Sequence, residues 1–348
     1  MRAAVVILNY NGADHLATFL PSVVKHTPEW AKVFVADNGS SDTSLDLLEN
    51  EFPTVQVVKL NKNYGFAGGY NRALEQIDAE YYVILNSDCE VTANYLEPIL
   101  DKLDQDPYLA AAQPKILNYN KKDHFEYAGA AGGFIDKYGY PFCRGRLFDN
   151  CERDIGQHND DREIFWATGA CLVVRSKAFK EVTGFDEDLF AHMEEIDLCW
   201  RLKNEGYCIY CYPESTVFHM GGGTLSAQNS FKTYLNFRNN LAIIVKNDYA
   251  KNYRKRLFKR MLMDGMAAGH FLLSRGFSHF TAILRAHFHF YAHLPKIMEK
   301  RREWKEKATS PNKSGMYKNS VAKDYFRLKR KVFSALPSRG FIRQDRKS

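Results

Sequence analysis

Four strand–helix alternations within about the first 90 residues constrain the fold more than any other feature of the chain. AAVVILN (3–9) is a continuous, largely β-branched run, suited to a strand covered on both faces. Asp14 to Lys25 then sets Leu16, Phe19, Leu20, Val23 and Val24 on one side of a helix. KVFVADN (32–38), VQVVKL (55–60) and YYVILN (81–86) read as further strands, with helices expected over 41–52 and 68–76. This pattern predicts an α/β chain built on a doubly wound, mostly parallel sheet. Three connections open on polar clusters, NYN, DNGSSD and NSD, each at the carboxyl end of a strand, where open α/β sheets place their ligands. Three such clusters make one crevice.

From 95 to 165 short β-like pieces rich in Gly and Tyr follow, then strands at 165–175 and 208–219 around a helix ending at Gly206. Beyond about residue 230 the chain reads helical and increasingly basic. Residues 246–348 carry 26 Lys and Arg against 7 Asp and Glu, a balance of +19, leaving −12 on residues 1–245. A nucleic-acid enzyme would put its basic face over its active site, so no nucleic-acid partner is expected. Catalytic residues are expected over 1–245, with a basic, mostly helical extension over 246–348. The start of the chain has no apolar signal region, and no stretch reaches the roughly 20 apolar residues needed to cross a bilayer. Seven scattered cysteines read as reduced thiols. The expected location is the cytoplasm, at or near the inner face of the cell membrane.

Several constellations could carry chemistry. Asp37 could accept the N3–H of a uracil or thymine ring, or could simply form an Asx turn or a helix cap within DNGSSD. NKNYGFAGGYNRAL (61–74) sets Asn63, Gly65 and Asn71 at a helix start, serving either phosphate oxygens or loop punctuation. Asn9 and Asn11 belong to the first polar cluster, and Asn86, Ser87 and Asp88 to the last. Asp88 suits a divalent cation on a diphosphate, with Asn86 on a ribose hydroxyl or a metal-bound water, although a helix N-cap would use the same residues. His219, ahead of Gly221, Gly222 and Gly223, could complete the shell of Mn²⁺ beneath a glycine flap, or could be a satisfied structural imidazole. HMEEID (192–197) puts Glu194 and Asp197 on one helix face and Glu195 on another. A carboxylate at the lip of an apolar pocket can serve as general base, whereas an acidic first turn can merely complement the helix dipole.

In order and spacing, VVILNYN, VADNGSSD, NKNYGFAGGYNRAL, LNSDCEV, FWATGACLVVR, GFDEDLFAHMEEIDLCWRL and VFHMGGGT resemble the family 2 glycosyltransferases of GT-A fold, particularly the bacterial rhamnosyltransferase-like branch. The resemblance covers about residues 3–245. It implies inverting transfer of a sugar from a nucleoside-diphosphate donor, dTDP- or UDP-linked, to a hydroxyl of a glycan or lipid-linked acceptor. Asp37 then falls at the nucleobase position, and Asn9, Asn11, Asn38, Asn63, Gly65, Asn71, Asn86 and Ser87 along the donor. Asp88 and His219 hold Mn²⁺ or Mg²⁺. Glu195, paired with Glu194, falls at the general base, with Trp166, Gly169 and Asp197 toward the acceptor. Two departures stand out. The family's DxD is NSD here, so metal affinity rests on Asp88 and His219; and the acidic pair is Glu–Glu where Glu–Asp is commoner.

RKRLFKRMLM and AILRAHFHFYAHLPKIMEKRREWKEK interleave basic and aromatic residues, fitting either contact with an anionic membrane or packing on the body with a solvated basic face. Rival functions are a nucleotidyltransferase that makes sugar nucleotides and an inactive sugar-binding module.

Overall fold

The computed structural model describes residues 1–221 and 229–343. The amino-terminal half runs β1 (Ala3–Asn9), α1 (Ala13–His26), β2 (Ala31–Asp37), α2 (Ser44–Glu51), β3 (Gln56–Lys59), α3 (Gly65–Leu74), β4 (Tyr81–Leu85), β5 (Cys89–Val91), α4 (Glu97–Gln105) and β6 (Leu109–Asn118). Short strands β7 (Gly133–Asp136), β8 (Pro141–Cys143), β9 (Arg146–Leu147), β10 (Asn150–Cys151) and β11 (Arg162–Glu163) follow, then β12 (Cys171–Arg175), α5 (Ser176–Glu181), α6 (Glu194–Asn204) and β13 (Cys208–His219). The remainder is α7 (Ser230–Asn247), α8 (Tyr253–Ser274), α9 (Phe277–Lys307) and β14 (Met316–Tyr317).

The main sheet has the order β11-β13-β6-β12-β4-β1-β2-β3, with β5 on β13. Strands β4, β1, β2 and β3 are parallel, as the alternation predicts, while β12 runs antiparallel between β4 and β6. Period-two side-chain alternation divides β1 between two cores. Ala3, Val5 and Ile7 face Leu16, Leu20 and Val23 of α1, whereas Ala4 and Val6 share the other core with Ala67 and Tyr70 of α3. Helices on both faces cover the middle of the sheet, which is why β1 and β4 are apolar and buried on both faces. A second, five-stranded sheet, β10-β9-β8-β7-β14, gathers the Gly- and Tyr-rich pieces.

The basic carboxyl-terminal segment packs on the body. Helix α9 lies along α7, which itself runs through residue 245 to Asn247. β14 adds to β7, and Tyr317 and Phe341 join Phe134 and Phe142 in an aromatic core. Among the described residues no helix is long and apolar enough to cross a membrane.

Candidate active site

The site forms where β4 ends beside the start of β12. Leu85 pairs with Cys171, and the Asn86 N–H donates to the Ala170 carbonyl at 3.0 Å. The 86–88 turn therefore lies against the 168–170 loop. β5 then turns back to pair with the end of β13, in a register that sets His219 opposite Cys89. Residues separated by 131 positions in the sequence meet as a result: Asp88 Oδ1 lies 3.1 Å from His219 Nε2. Asn86 Nδ2 approaches the same nitrogen at 3.4 Å. Cys89 completes a tight cluster of possible ligands, but its thiol faces the Ala170 carbonyl at 3.3 Å.

Asp88 and His219 are buried, at 6% and 5% exposure. Burial by itself would lower the imidazole's pKa, yet the hydrogen-bonded carboxylates of Asp88 and Glu126 outweigh it and push it up to about 10. Burial likewise opposes the charge on Asp88, and the His219 ring overcomes it, holding that carboxyl below its ordinary range. A buried carboxylate oxygen and an imidazole nitrogen converging at hydrogen-bond distance are the donor set that a borderline divalent cation accepts. The residues present fit Mn²⁺ or Mg²⁺.

The acidic pair stands across the 168–170 loop. A Cβ built on Gly169 would lie 4.0 Å from that of Glu195, and its other neighbour is the Phe66 ring. Glu194 is buried and Glu195 half-buried, and neither Oε2 has a hydrogen-bond partner. Desolvation raises both carboxyls. Glu195 rises to about 7, and Glu194 rises further because its neighbour's charge adds to the burial. Glu194 thus keeps its proton while Glu195, the more open of the two, exchanges its own near neutrality.

The loop ahead of this pair is strained. Phe190, His192 and Met193 all adopt positive φ, at 63°, 66° and 72°, a conformation that is costly for such side chains. Asn239 of α7 holds the loop from behind, its Nδ2 donating to the carbonyls of Leu189, Ala191 and His192 at 3.0, 2.9 and 2.7 Å. Lys246 and Lys300 clamp Asp186, each at 2.5 Å, and Lys296 takes Asp188 at 2.8 Å. A cleft of about 270 Å³ between α7 and α9 lies behind these residues. Its acidic groups are already paired with those lysines, which makes it a structural seam.

Of the residues expected along the donor, Asn9 and Asp37 are register partners at the tips of β1 and β2. Asn9 Nδ2 lies 3.3 Å from Asp37 Oδ1, the Ser40 N–H donates to Asp37 Oδ2 at 3.1 Å, and Asn9 Oδ1 is buried with no partner. Asn11, with φ 51°, accepts from the Ser41 N–H. Ser87 sits half-buried in the turn beside Asp88.

Other expected donor residues have structural work instead. Asn38 braces the next loop, donating to Asn63 Oδ1 and the Gly65 carbonyl while accepting from the Tyr64 N–H. Asn63 also receives the Gly65 N–H. Asn71 makes a two-way bond with the Phe185 backbone. The start of α3 is closed to phosphate, because Phe66 and Ala67 N–H groups both point at the Phe190 carbonyl. Gly65, at φ 72°, leaves room for the Phe190 ring, 2.6 Å from where a Cβ would sit. Of the residues expected toward the acceptor, Trp166 turns into the core and donates to the Phe134 carbonyl. Asp197 is fully buried, its carboxylate shared by Arg201, Lys246 and Asn247. Of the expected glycine flap only Gly221 lies within the described residues. Glu126 and Asn239 were missed by the sequence reading: an isolated Glu in a loop and an Asn within a helix carry no spacing signal.

Residues 4–183 match the sequence pattern of Glycosyl transferase family 2, and the chain belongs to that family. It is therefore a glycosyltransferase, and the nucleotidyltransferase and inactive-module readings fall away. It is 29% identical over 233 residues to the N-acetylglucosaminyl-diphospho-decaprenol L-rhamnosyltransferase of Mycobacterium tuberculosis, covering 62% of this chain and 75% of the relative. A second relative is the low-salt glycan biosynthesis hexosyltransferase Agl10 of Haloferax volcanii, 22% identical over 242 residues, or 68% of this chain and 73% of that one. The fold is GT-A. It is shared with the structure of S. aureus TarS 1-349 in complex with UDP-GlcNAc (TM-score 0.55, 16% identity, 88% of this chain and 91% of that one). GalNAc-T7 with UDP, GalNAc and Mn2+ superposes equally well (TM-score 0.55, 17% identity, 73% of this chain), although this chain spans only 49% of that structure.

Proposed function

We propose that this glycosyltransferase moves a sugar, with inversion, from a dTDP- or UDP-linked donor to a hydroxyl of a lipid-linked or glycan acceptor during cell-surface polysaccharide synthesis. One observation carries the reading: Asp88 and His219 meet on one side of the Gly169–Ala170 loop, and the raised carboxyl pair Glu194–Glu195 stands on the other. Asp37, at the tip of β2, receives the base. Asp88 and His219 would hold Mn²⁺ or Mg²⁺. When bound, the ion supplies positive charge to offset that of the departing diphosphate.

The acceptor hydroxyl enters over Gly169, beside Glu195 and the Phe66 ring. Glu195, ionised, takes the hydroxyl proton as the oxygen attacks the anomeric carbon opposite the diphosphate; the new C–O bond forms as the bond to phosphate breaks. Glu194 keeps its own proton, and the pair carries one negative charge between two carboxyls. The mycobacterial relative's name, with a diphospho-decaprenol-linked sugar as acceptor, supports a polyprenyl-linked acceptor here.

A thermal-shift screen with UDP-, dTDP- and GDP-sugars, with and without Mn²⁺, identifies the donor. Asp88→Ala and Glu195→Gln are each expected to abolish transfer, with only Asp88→Ala weakening nucleotide binding in metal. Equal donor affinity in the two variants would refute that division of roles.

A further inference from the structure

Helices α8 and α9 form a hairpin whose outer faces carry large apolar side chains. On α8 these are Phe258, Leu262, Met266 and Leu273, and on α9 Phe277 and Phe288. Leu273 is 89% exposed, Phe288 71%, and Met266 and Phe277 both 69%. Single exposed apolar residues are ordinary, but a row of them at helical spacing on two neighbouring helices marks an interaction surface. This row is no misdirected core. The inner faces are already satisfied, by Ala268, Ala282, Ala286 and Phe290 and by the buried Arg260–Asp264 pair.

Charge identifies the occupant. Between residues 249 and 298 nine Lys and Arg accompany a single acid, the buried Asp264. Lys251, Arg254, Lys255 and Lys259 lie exposed at the base of α8, and Arg275 at the hairpin tip. A second copy of the chain would set these cations against one another. An anionic bilayer offers hydrocarbon for the Leu, Met and Phe side chains and phosphates for the surrounding cations on one surface.

The hairpin also sits beside the chemistry. Its tip lies against the start of α7, where Thr233 Oγ1 and His279 Nδ1 are 2.9 Å apart and the Phe237 and Phe271 rings meet at 6.3 Å. Ala191, in the strained loop ahead of Glu194, packs against the same small cluster as Ala282 and Ala286.

We propose that the α8–α9 hairpin docks the enzyme on an anionic phospholipid surface, its apolar row entering the interface and its cations holding the headgroups. The proposal deepens the lipid-linked-acceptor reading and rests on it only for its purpose, so binding is measured without donor or acceptor. The full chain is sedimented with vesicles of phosphatidylethanolamine and phosphatidylglycerol, and separately with phosphatidylcholine. Binding to the anionic vesicles alone is expected. The triple variant Leu273→Ser/Phe277→Ser/Phe288→Ser and the charge variant Lys251→Glu/Lys255→Glu/Lys259→Glu should each weaken it about tenfold or more. Both should keep the parent's thermal shift with nucleoside diphosphate, which establishes that they fold. Failure of the parent to bind anionic vesicles, or parent-like binding by either folded variant, overturns the proposal. So does a lipid-free dimer in velocity sedimentation that the apolar variant dissociates, since a second copy would then cover this face. Vesicle binding without transfer to any lipid-linked acceptor would sink only the acceptor reading.

Discussion

The Glu126 carboxylate stands 3.3 Å from Nδ1 of His219, on the far side of the ring from Asp88. Glu126 is buried and anchored by the Ala128 N–H. A carboxylate in that place keeps a proton on Nδ1, so that Nε2 is the nitrogen free to give up its own proton to a metal. Glu126→Ala should therefore weaken Mn²⁺ retention about 10- to 100-fold. Electron paramagnetic titration of Mn²⁺ in the presence of nucleoside diphosphate reads this directly, and an unchanged affinity would remove Glu126 from the site.

Glu195, raised to about 7, accepts a proton only when ionised. The transfer rate should rise with pH through about 7 and level off above it, falling about tenfold per unit on the acid side. A rate flat from about pH 5 to 8 would mean that another group takes the proton.

The same raised carboxyl has a stability consequence of definite sign. Because its folded pKa lies above the ordinary 4.5, its stabilising contribution is whole below that value and is lost as pH rises through about 7. Glu195→Gln should thus raise Tm relative to the parent at about pH 8, by roughly 1–3 kcal/mol in stability, and by less at about pH 5. Calorimetry at both values checks the difference, and a variant no more stable at the higher pH contradicts it.

Asp197 holds α6 to α7 through Arg201, Lys246 and Asn247. Asp197→Ala leaves the buried Arg201 without its carboxylate, while Lys246 keeps Asp186, and should cost about 3–5 kcal/mol. If Tm stays put while acceptor KM rises, Asp197 serves the acceptor after all.

Asn239→Leu removes the side-chain NH₂ whose two hydrogens are shared among the carbonyls of Leu189, Ala191 and His192. We expect a loss of roughly 2–4 kcal/mol and a kcat that falls more than nucleotide affinity does, because the strained loop presents Glu194 and Glu195. Nucleotide affinity falling in step with kcat would assign Asn239 to general stability.

Local order gave away the sheet. The runs ending at Asn9, Asp37 and Leu85 are apolar on both faces, so their period and punctuation alone predict parallel strands with polar tips. Asp88, His219 and the Glu194–Glu195 pair were legible for a related reason: polar groups that follow buried strands or interrupt apolar helices need a purpose. Where those groups point is another matter. Asn38, Asn71 and Asp197 look like ligand residues in the sequence, yet their side chains are used by partners up to 114 positions away. Glu126 and Asn239 carry no periodic signal, and their meaning comes only from the His219 ring and the 189–192 carbonyls across the fold. Composition told that the carboxyl-terminal helices are basic; packing alone decided which of their faces meets α7 and which is left apolar and open. Periodicity is a property of neighbours in the chain, whereas a hydrogen bond or an exposed face depends on which distant segment arrives, and only tertiary packing settles that.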